Sequence, residues 1–191
     1  MPRNRQHIPK AEREAAVVGQ AVELFVTNGY RGTSITSVGR AAGIAAAAVH
    51  WYFPTKDDLF AAALSSIFET ARDQVEADPA IGGDPRDELV ALLAEVQPYR
   101  ALHREAYERM AESESVCAAY QHVHQWMEQR LFAAIASRLP EGADIDLVAD
   151  VAHVLFEGIL VSTRRLDRPL GDLIDLIIDS LVAAAIAKVP R

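Results

Sequence analysis

Hydrophobic residues recur at the spacing of an α-helix along most of the chain. In the first such segment Val18, Ala21, Val22 and Phe25 form one apolar stripe, and Gly29 is expected to end the helix. We find neither an internal repeat nor a useful length of strand-like alternation. The pattern predicts an all-α protein of about nine helices. Their approximate bounds are 11–28, a short helix after Ser34, 45–52, 56–77, 86–97, 99–111, 115–139, 145–166 and 170–189.

The segment from Ser34 to Lys56 combines a helix, a tight turn and a second short helix. Ser34 is the expected N-cap, Gly43 forms the turn, and the second helix covers Ala45–Tyr52 until Pro54 breaks it. This order is typical of a helix-turn-helix that inserts its second helix into the major groove of DNA. The segment therefore predicts a DNA-binding regulator.

Charge is distributed unevenly along the chain. The 191 residues, half of them hydrophobic, carry a net charge of −8. Residues 1–56 contain seven Lys or Arg and three Glu, a net of +4, which leaves −12 on the remainder. A basic end can neutralise phosphates while the acidic remainder is repelled by them. Because the basic end coincides with the helix-turn-helix, we favour this interpretation over a chance fluctuation of surface charge.

The cysteine count and the apolar runs indicate the cellular compartment in which the protein is expected. Cys117 is the only cysteine, so an internal disulfide is impossible, which fits a reducing cytoplasm. The N-terminal segment lacks the apolar stretch of a signal peptide, and the apolar run 181–187 is too short to cross a bilayer. We therefore expect a cytoplasmic protein with no membrane partner.

The first 60 or so residues resemble the TetR family of bacterial transcription regulators. The segments FVTNGYRGTSITSVGRAAGI and VHWYFPTKDDLF carry most of the match. The resemblance implies a homodimer on a near-palindromic operator, which usually represses transcription and leaves the DNA when a small molecule binds. It also implies a DNA-binding domain over residues 1–55, with 1–10 as a flexible basic arm, and a ligand-binding and dimerisation domain over 56–191.

The candidate DNA contacts surround the second helix of this motif. Hydroxyl groups and free N–H groups at a helix start suit a phosphate, a lysine begins the next helix, and aromatic rings can pack on sugars. The alternative for Trp51 is a place in the core. The candidates are Thr33, Ser34, Thr36, Arg40, Ala46, Ala47, Ala48, His50, Trp51, Tyr52 and Lys56.

The start of the recognition helix departs from the family pattern. Ala45 stands where the family commonly has a Ser cap, a loss of about 1 kcal/mol that is partly recovered because alanine favours the helix. The run Ala45–Ala48 can touch a thymine methyl but cannot hydrogen-bond a base edge, so direct readout is expected to be sparse. DNA shape can supplement it. Side chains that can do so are His50, Thr36, Arg40, and Arg3 and Arg5 in the minor groove.

The last two helices carry more apolar surface than one core contact needs. This surplus predicts a four-helix dimer interface, the alternative being a monomer in which both helices are wholly buried. The candidate interface residues are Val151, Leu155, Ile159, Ile174, Ile177 and Leu181.

The middle helices combine aromatic, Met and His side chains at helical spacing. Such a population suits a mixed apolar and polar ligand cavity, and the alternative is core packing with satisfied histidines. The candidate ligand-binding residues are His103, Tyr107, Met110, Cys117, Tyr120, His124, Trp126 and Phe156.

No motif predicts catalysis, a metal site or a cofactor. His122 and His124 point in different directions on a helix, so they cannot easily share a metal, and no nucleophile, acid–base pair or phosphate-binding glycine loop stands out. The alanine run leaves one alternative to a regulator. This is a helical small-molecule-binding or enzymatic protein whose DNA-binding bundle is vestigial.

Overall fold

The computed structural model describes residues 9–81, 83–162 and 167–188, and within these ranges every regular element is helical. This confirms the all-α prediction. The predicted basic arm lies outside the described residues except for Pro9 and Lys10. A single 3₁₀ turn, Gln97–Tyr99, joins the fifth and sixth helices. The α-helices are α1 (Lys10–Gly32), α2 (Ile35–Ala41), α3 (Ala46–Tyr52), α4 (Lys56–Ala77), α5 (Pro85–Val96), α6 (Arg100–Arg109), α7 (Glu114–Ala136), α8 (Ile145–Val161) and α9 (Leu170–Lys188).

Local signals set the helix ends in the N-terminal part. Gly29 has φ 69° and ψ 175°, a left-handed φ that favours glycine, so α1 breaks there as predicted. Ser34 accepts a hydrogen bond from the N–H of Ser37, and Thr55 accepts one from the N–H of Asp58. In each case the side chain at N3, Ser37 or Asp58, accepts the backbone N–H of the cap residue, which completes two capping boxes. The predicted N-cap Ser34 is confirmed.

The C-terminal helices differ from their predicted bounds by a few residues. The helix expected to reach 139 ends at Ala136, where a turn and Pro140 follow. The helix expected to reach 166 is described as far as Val161, and residues 163–166 lie outside the described residues. Each difference falls at a helix end, where propensity is a weak guide.

Two hydrophobic clusters share α4. The first cluster contains Phe25, Val49 and Phe60, and it extends to Leu102 of α6 and Tyr120 of α7. The second cluster is built by the later part of α4 with α5, α7, α8 and α9. Because α4 supplies buried side chains to both, it joins α1–α3, here called the N-terminal bundle, to the remaining helices. The predicted domain boundary between residues 55 and 56 stays a prediction.

No helix in the described ranges is long and apolar enough to span a lipid bilayer.

Close contact between α2 and α3 depends on Gly39, which the sequence pattern did not single out. A Cβ atom placed on Gly39 would lie 3.0 Å from the carbonyl oxygen of Ile44 and 3.3 Å from the backbone nitrogen of Ala46. Both neighbours are backbone atoms, which cannot move aside by a rotamer change. Gly43, by contrast, is needed for its φ of 69° in the turn. The helix-turn-helix therefore requires glycine at two positions for two different reasons.

We expect Gly39→Ala to lower the free energy of unfolding by about 1–3 kcal/mol, because the added methyl group forces α2 and α3 apart. Urea denaturation followed by circular dichroism measures this change. The matched control is Gly19→Ala in α1, where a Cβ atom meets nothing within 4 Å. This control should be neutral or stabilising by up to about 1 kcal/mol. Equal effects of the two substitutions would contradict the close-contact explanation.

Candidate DNA interface and ligand cavity

The second helix of the motif, α3, presents small and aromatic side chains on its outer face. Val49 is fully buried in the first cluster and anchors the helix. Ala47, Ala48 and His50 are exposed, and Ala46 is half-buried. Nδ1 of His50 lies 3.1 Å from the carbonyl oxygen of Pro54, so the Nδ1–H donates there and Nε2 is left as the outward-facing atom. One side of this helix is therefore anchored in the core, and the opposite side is exposed.

Trp51 is 66% exposed, so the core interpretation of this residue is wrong. Its ring makes an edge contact with Tyr52, with 4.9 Å between centroids. The ammonium group of Lys10 lies 4.4 Å from the ring centroid of Trp51. An exposed aromatic ring beside a cation at the end of α3 can pack on sugar while the cation meets a phosphate.

The candidate residues near the start of α2 separate into exposed and buried groups. Ser34, Thr36 and Arg40 are exposed. Thr33 is only 2% exposed, and its hydroxyl lies 3.0 Å from the carbonyl oxygen of Leu24 and 2.9 Å from that of Gly29. The prediction that the Thr33 hydroxyl contacts DNA is therefore wrong, because this group is buried and donates within the protein.

Lys56 also has internal partners. Its ammonium group donates to the carbonyl oxygens of Tyr30 at 2.9 Å and Thr33 at 3.1 Å, and it lies 3.9 Å from the centroid of the Tyr30 ring. Burial and then the charge of Arg109 lower the pKa of Lys56. Two of its three N–H donors are thus engaged, and the predicted phosphate contact is left with the third. The main role of Lys56 is to fasten α4 to the end of α1.

Five residues, here called the clamp, tie the N-terminal bundle to α6: Tyr30, Lys56, Asp57, Glu105 and Arg109. The Tyr30 hydroxyl donates to Asp57, and Arg109 donates to both oxygens of Asp57 at 3.0 Å each. Glu105 accepts the backbone N–H of Tyr30 at 2.9 Å. The guanidinium carbon of Arg109 lies 4.0 Å from the centroid of the Tyr30 ring.

The charges of the clamp shift the pKa values of two of its members. Burial and then the bond to Asp57 raise the pKa of Tyr30 to about 12. Burial alone would raise the pKa of Asp57, but the hydrogen bonds from Arg109 and Tyr30 outweigh it and lower that pKa. The phenol therefore stays protonated and the carboxylate stays charged at neutral pH. Sequence analysis missed Asp57, Glu105 and Arg109 because charged residues on a helix surface carry no signal of a distant partner.

A cavity of about 460 Å³ opens between α4, α5, α6 and α7 and the segment that precedes α9. Of the eight predicted ligand-binding residues, His103 and Tyr120 line it. Sequence analysis missed the contribution of α4 and α5, because the facing of those helices follows from their crossing angles. Further lining residues are Leu64, Ile67, Leu93, Arg100, Met127 and Arg168.

The other six predicted ligand-binding residues do not line this cavity, so those predictions are wrong for it. Phe156 is fully buried in the second cluster, and Trp126 packs edge-on against Phe68. Tyr107 is exposed, while Met110 and Cys117 are half-buried. His124 lies behind His103 as seen from the cavity wall.

His103 and His124 form a buried pair. Their Nε2 atoms lie 3.1 Å apart, so one ring donates an N–H to the lone pair of the other. Tyr120 stacks on His124, with 4.1 Å between centroids, and tilts against His103 at 4.9 Å. Burial and then the charge of Arg100 lower the pKa of His103 to about 4. Burial and then the neighbouring histidines lower the pKa of His124 to about 3, so both rings are neutral at neutral pH.

The outer faces of α8 and α9 expose several large apolar side chains. Leu155 is 44% exposed and Leu176 is 63% exposed, and Val151 and Val154 are exposed beside them. The predicted interface residues divide accordingly: Val151 and Leu155 are exposed, and Ile159 and Ile177 are half-buried. Ile174 and Leu181 are buried in the second cluster of the same chain, so an interface role for these two is wrong.

Within the described ranges no three His, Cys, Asp or Glu side chains converge as a metal site. His122 bonds to Glu69 and His124 to His103, which places the two histidines on different faces of α7.

The fold and the α2–α3 geometry define a helix-turn-helix protein with a larger helical domain. Residues 17–63 match the family model of the bacterial regulatory proteins of the TetR family. A curated HTH-type transcriptional regulator of Saccharopolyspora erythraea is 32% identical over 81 residues, which span 42% of this chain and 33% of that protein. Over its N-terminal part the chain is therefore similar to the regulators of the TetR family.

Solved structures share this fold over almost the whole chain. A transcriptional regulator of Pseudomonas aeruginosa PAO1 superposes with a TM-score of 0.69 at 15% identity, over 96% of this chain and 97% of that one. The Bacillus subtilis regulator FadR, solved with stearoyl-CoA, gives 0.63 at 17% identity over 88% and 97%. The multidrug binding protein EbrR, solved with imidazole, gives 0.64 at 19% identity over 94% and 97%. At these identities the likeness establishes the fold alone.

We expect the buried histidine pair to make stability fall as pH falls. In the unfolded chain each histidine titrates near pH 6.5, whereas the folded-state pKa values are about 4 for His103 and about 3 for His124. Below about pH 6.5 the unfolded state therefore binds more protons. The free energy of unfolding then drops by up to about 1.4 kcal/mol per pH unit per histidine until about pH 4.

Urea denaturation between pH 7 and 4 measures this dependence. The double variant His103→Gln/His124→Gln should lose most of it. The control variant His122→Gln removes an exposed ring from α7, the helix that also carries His124, and it should keep the pH dependence of the wild type. Parallel curves for the wild type and the double variant would contradict the buried, neutral pair.

Proposed function

We propose that this protein is a transcriptional repressor of the bacterial cytoplasm. It binds a near-palindromic operator as a homodimer and leaves the DNA when a small molecule occupies the cavity. The observation that carries this proposal is the surface position of α3, with Val49 anchored in the core and Ala47, Ala48, His50 and Trp51 facing outward.

The surface around α3 supports a DNA interface in which few side chains read bases. The alanine methyl groups can contact thymine methyl groups, and the exposed Thr36 and Arg40 of α2 are placed for the sugar–phosphate backbone. Lys10 and Trp51 add a cation and an aromatic ring at the other end of α3. Affinity in this arrangement comes mainly from phosphate contacts and DNA shape.

The exposed apolar faces of α8 and α9 support the homodimer. One α3 helix reads too few base pairs to locate an operator, so two copies must meet adjacent major grooves, roughly 34–36 Å apart. Large apolar side chains exposed on two packed helices are suited to a two-fold interface of four helices. Leu155 and Leu176 are the most exposed leucines of this face.

α6 supports a route from the cavity to the DNA. His103 lines the cavity, while Glu105 and Arg109 of the same helix belong to the clamp. A ligand that displaces α6 therefore displaces Tyr30 and Asp57, and with them the orientation of the N-terminal bundle. Only a ligand that binds one arrangement more tightly than the other can drive this change. FadR and EbrR, which share the fold, were each solved with a small molecule bound.

Footprinting on the promoter DNA next to the gene tests the central claim. A protected near-palindrome is expected, with affinity that falls steeply as salt is raised. The alternative is the helical small-molecule-binding or enzymatic protein with a vestigial bundle, motivated by an α3 that lacks a side-chain cap. That alternative predicts no sequence preference and a shallow salt dependence.

We expect Arg40→Gln to weaken operator binding about tenfold and to reduce the slope of log K against log salt by about one, because one phosphate contact is lost. Fluorescence anisotropy with a labelled operator across a salt series measures both quantities. Arg138→Gln is the matched control, because Arg138 is an exposed arginine at the far end of the molecule, paired with Asp179. An equal slope for the wild type and Arg40→Gln would remove Arg40 from the interface.

We expect the double variant Leu155→Glu/Leu176→Glu to be a monomer of about 20.9 kDa, while the wild type has twice that mass. Four carboxylates in one two-fold interface would be desolvated and would repel one another. Light scattering after gel filtration gives the mass. The control is Val26→Glu, a similarly exposed apolar residue of α1 that lies away from this face. A monomeric wild-type protein would overturn the dimer.

A further inference from the structure

We propose that the cavity binds an amphipathic organic anion. The apolar body of the ligand fills the space between α4, α5 and α7, an acceptor oxygen of the ligand takes the hydrogen bond of the Tyr120 hydroxyl, and Arg100 and Arg168 balance its negative charge. This inference rests on the proposed function for its regulatory meaning, but the binding itself does not depend on DNA.

The Tyr120 hydroxyl is the first observation. Tyr120 lines the cavity, is only 5% exposed, and its buried hydroxyl has no hydrogen-bond partner among the described residues. A buried O–H group without an acceptor is costly, and such groups are rare in native proteins. The rings of His103 and His124 pack against Tyr120 and hold its orientation. The hydroxyl is therefore a buried donor that lacks an acceptor among the described residues, and in this proposal a ligand oxygen supplies one.

The protonation state of Tyr120 strengthens this point. Burial, followed by the charges of Glu157, Tyr107 and Glu128, raises the pKa of this phenol. The hydroxyl keeps its proton across the physiological range and acts as a donor. The neighbouring histidine pair is neutral for the reason given above, so it adds no charge to the site.

The charged groups of the cavity wall are the second observation. Arg100 and Arg168 line the cavity, and the described lining residues include neither Asp nor Glu. The Nη2 atom of Arg100 donates to the carbonyl oxygens of Ile159 at 3.1 Å and Ser162 at 2.6 Å, which fixes the guanidinium group beside the end of α8. Its Nε and Nη1 atoms have no acceptor within the described part of the chain. Among the described lining residues the two guanidinium groups are the charged ones, and they favour an anion; the carboxylates of Glu157 and Glu128 act on Tyr120 from outside the lining.

The apolar residues of the cavity wall determine the size and polarity of the rest of the ligand. Leu64 and Ile67 of α4, Leu93 of α5, and Val123 and Met127 of α7 supply an apolar surface around the cavity of about 460 Å³. This volume lies within the range of pockets that enclose small organic ligands. A carboxylate on a linear or branched hydrocarbon combines the required acceptor, charge and apolar bulk in one molecule.

Isothermal titration calorimetry with matched probes tests the ligand class. Saturated fatty acids from octanoate to hexadecanoate are titrated below their aggregation limits, beside the alcohol and the trimethylammonium derivative of the same chain lengths. We expect at least one acid to bind, the alcohol of that length to bind about tenfold or more weakly, and the cation to give no measurable binding. Binding of the cation at least as tightly as the acid, or binding by none of the acids, would overturn the proposal.

Single substitutions test the two polar contacts separately. Tyr120→Phe should weaken the acid about 10-fold to 100-fold, since it removes the donor and retains the ring. Tyr107→Phe is the matched control, because Tyr107 lies outside the cavity lining, and it should bind as the wild type does. Arg168→Gln should weaken the acid while leaving the alcohol unchanged. Wild-type affinity in Tyr120→Phe, or equal losses for acid and alcohol in Arg168→Gln, would contradict the assigned contacts.

Operator footprinting on the same samples distinguishes this inference from the proposed function. Specific protection of DNA by a protein that binds no acid refutes the ligand class and leaves the regulator intact. Acid binding by a protein that protects no DNA refutes the regulator and leaves the ligand class intact. Release of the operator by the acid, but not by the cation, is the result expected if both hold.

Discussion

The contact between Tyr30, Asp57 and Arg109 is the interaction on which the arrangement of this molecule depends. α3 has only seven residues and is held through Val49, so its direction in space follows the bundle that carries it. That bundle meets α6 through apolar packing, through the bond from the Tyr30 N–H to Glu105, and through Asp57, which accepts the Tyr30 hydroxyl and both arms of the Arg109 guanidinium. Since these groups are partly desolvated and bidentate, the contact has a defined geometry that an exposed ion pair would lack.

A hydrogen-bonded charge pair of this kind can fix the orientation of the N-terminal bundle and can also release it. An apolar contact tolerates small sliding, whereas a bidentate pair weakens steeply once its angles change. The cavity and the clamp share α6, where His103 and Ala106 line the cavity and Glu105 and Arg109 belong to the clamp. A ligand need not displace α6 far, because a small rotation suffices to misalign Arg109 with Asp57. In the proposed switch α4 is coupled to the same change, since it begins in the clamp and also lines the cavity with Leu64 and Ile67.

Sequence reasoning succeeded where the signal is local and failed where a side chain is chosen by a distant partner. Gly29 and Ser34 set helix ends through their own backbone or side-chain chemistry, and each was predicted. Thr33 and Lys56 stand at sequence positions suited to contact a DNA phosphate. In the structure the Thr33 hydroxyl and the Lys56 ammonium group instead donate to backbone carbonyl oxygens of α1. The cavity wall drew on α4 and α5, because the facing of a helix depends on how it crosses its neighbours. His103 and Tyr120 were found because aromatic and imidazole groups are unusual on an interior helical face.

The alanine surface of α3 and the acidic remainder of the chain together constrain how the proposed regulator would find its DNA. A helix without base-directed hydrogen bonds gains little from the correct sequence through α3 alone, so discrimination must come from groove shape and from thymine methyl contacts. Residues 1–56 carry a net of +4 against −12 for the rest, which orients the molecule as it approaches a duplex. Because the same charge distribution repels the rest of the chain from phosphate, non-specific complexes in other orientations are disfavoured. The proposed regulator therefore retains sequence selectivity even though each α3 distinguishes base pairs weakly. This requires that two copies bind the operator at once and add their small preferences.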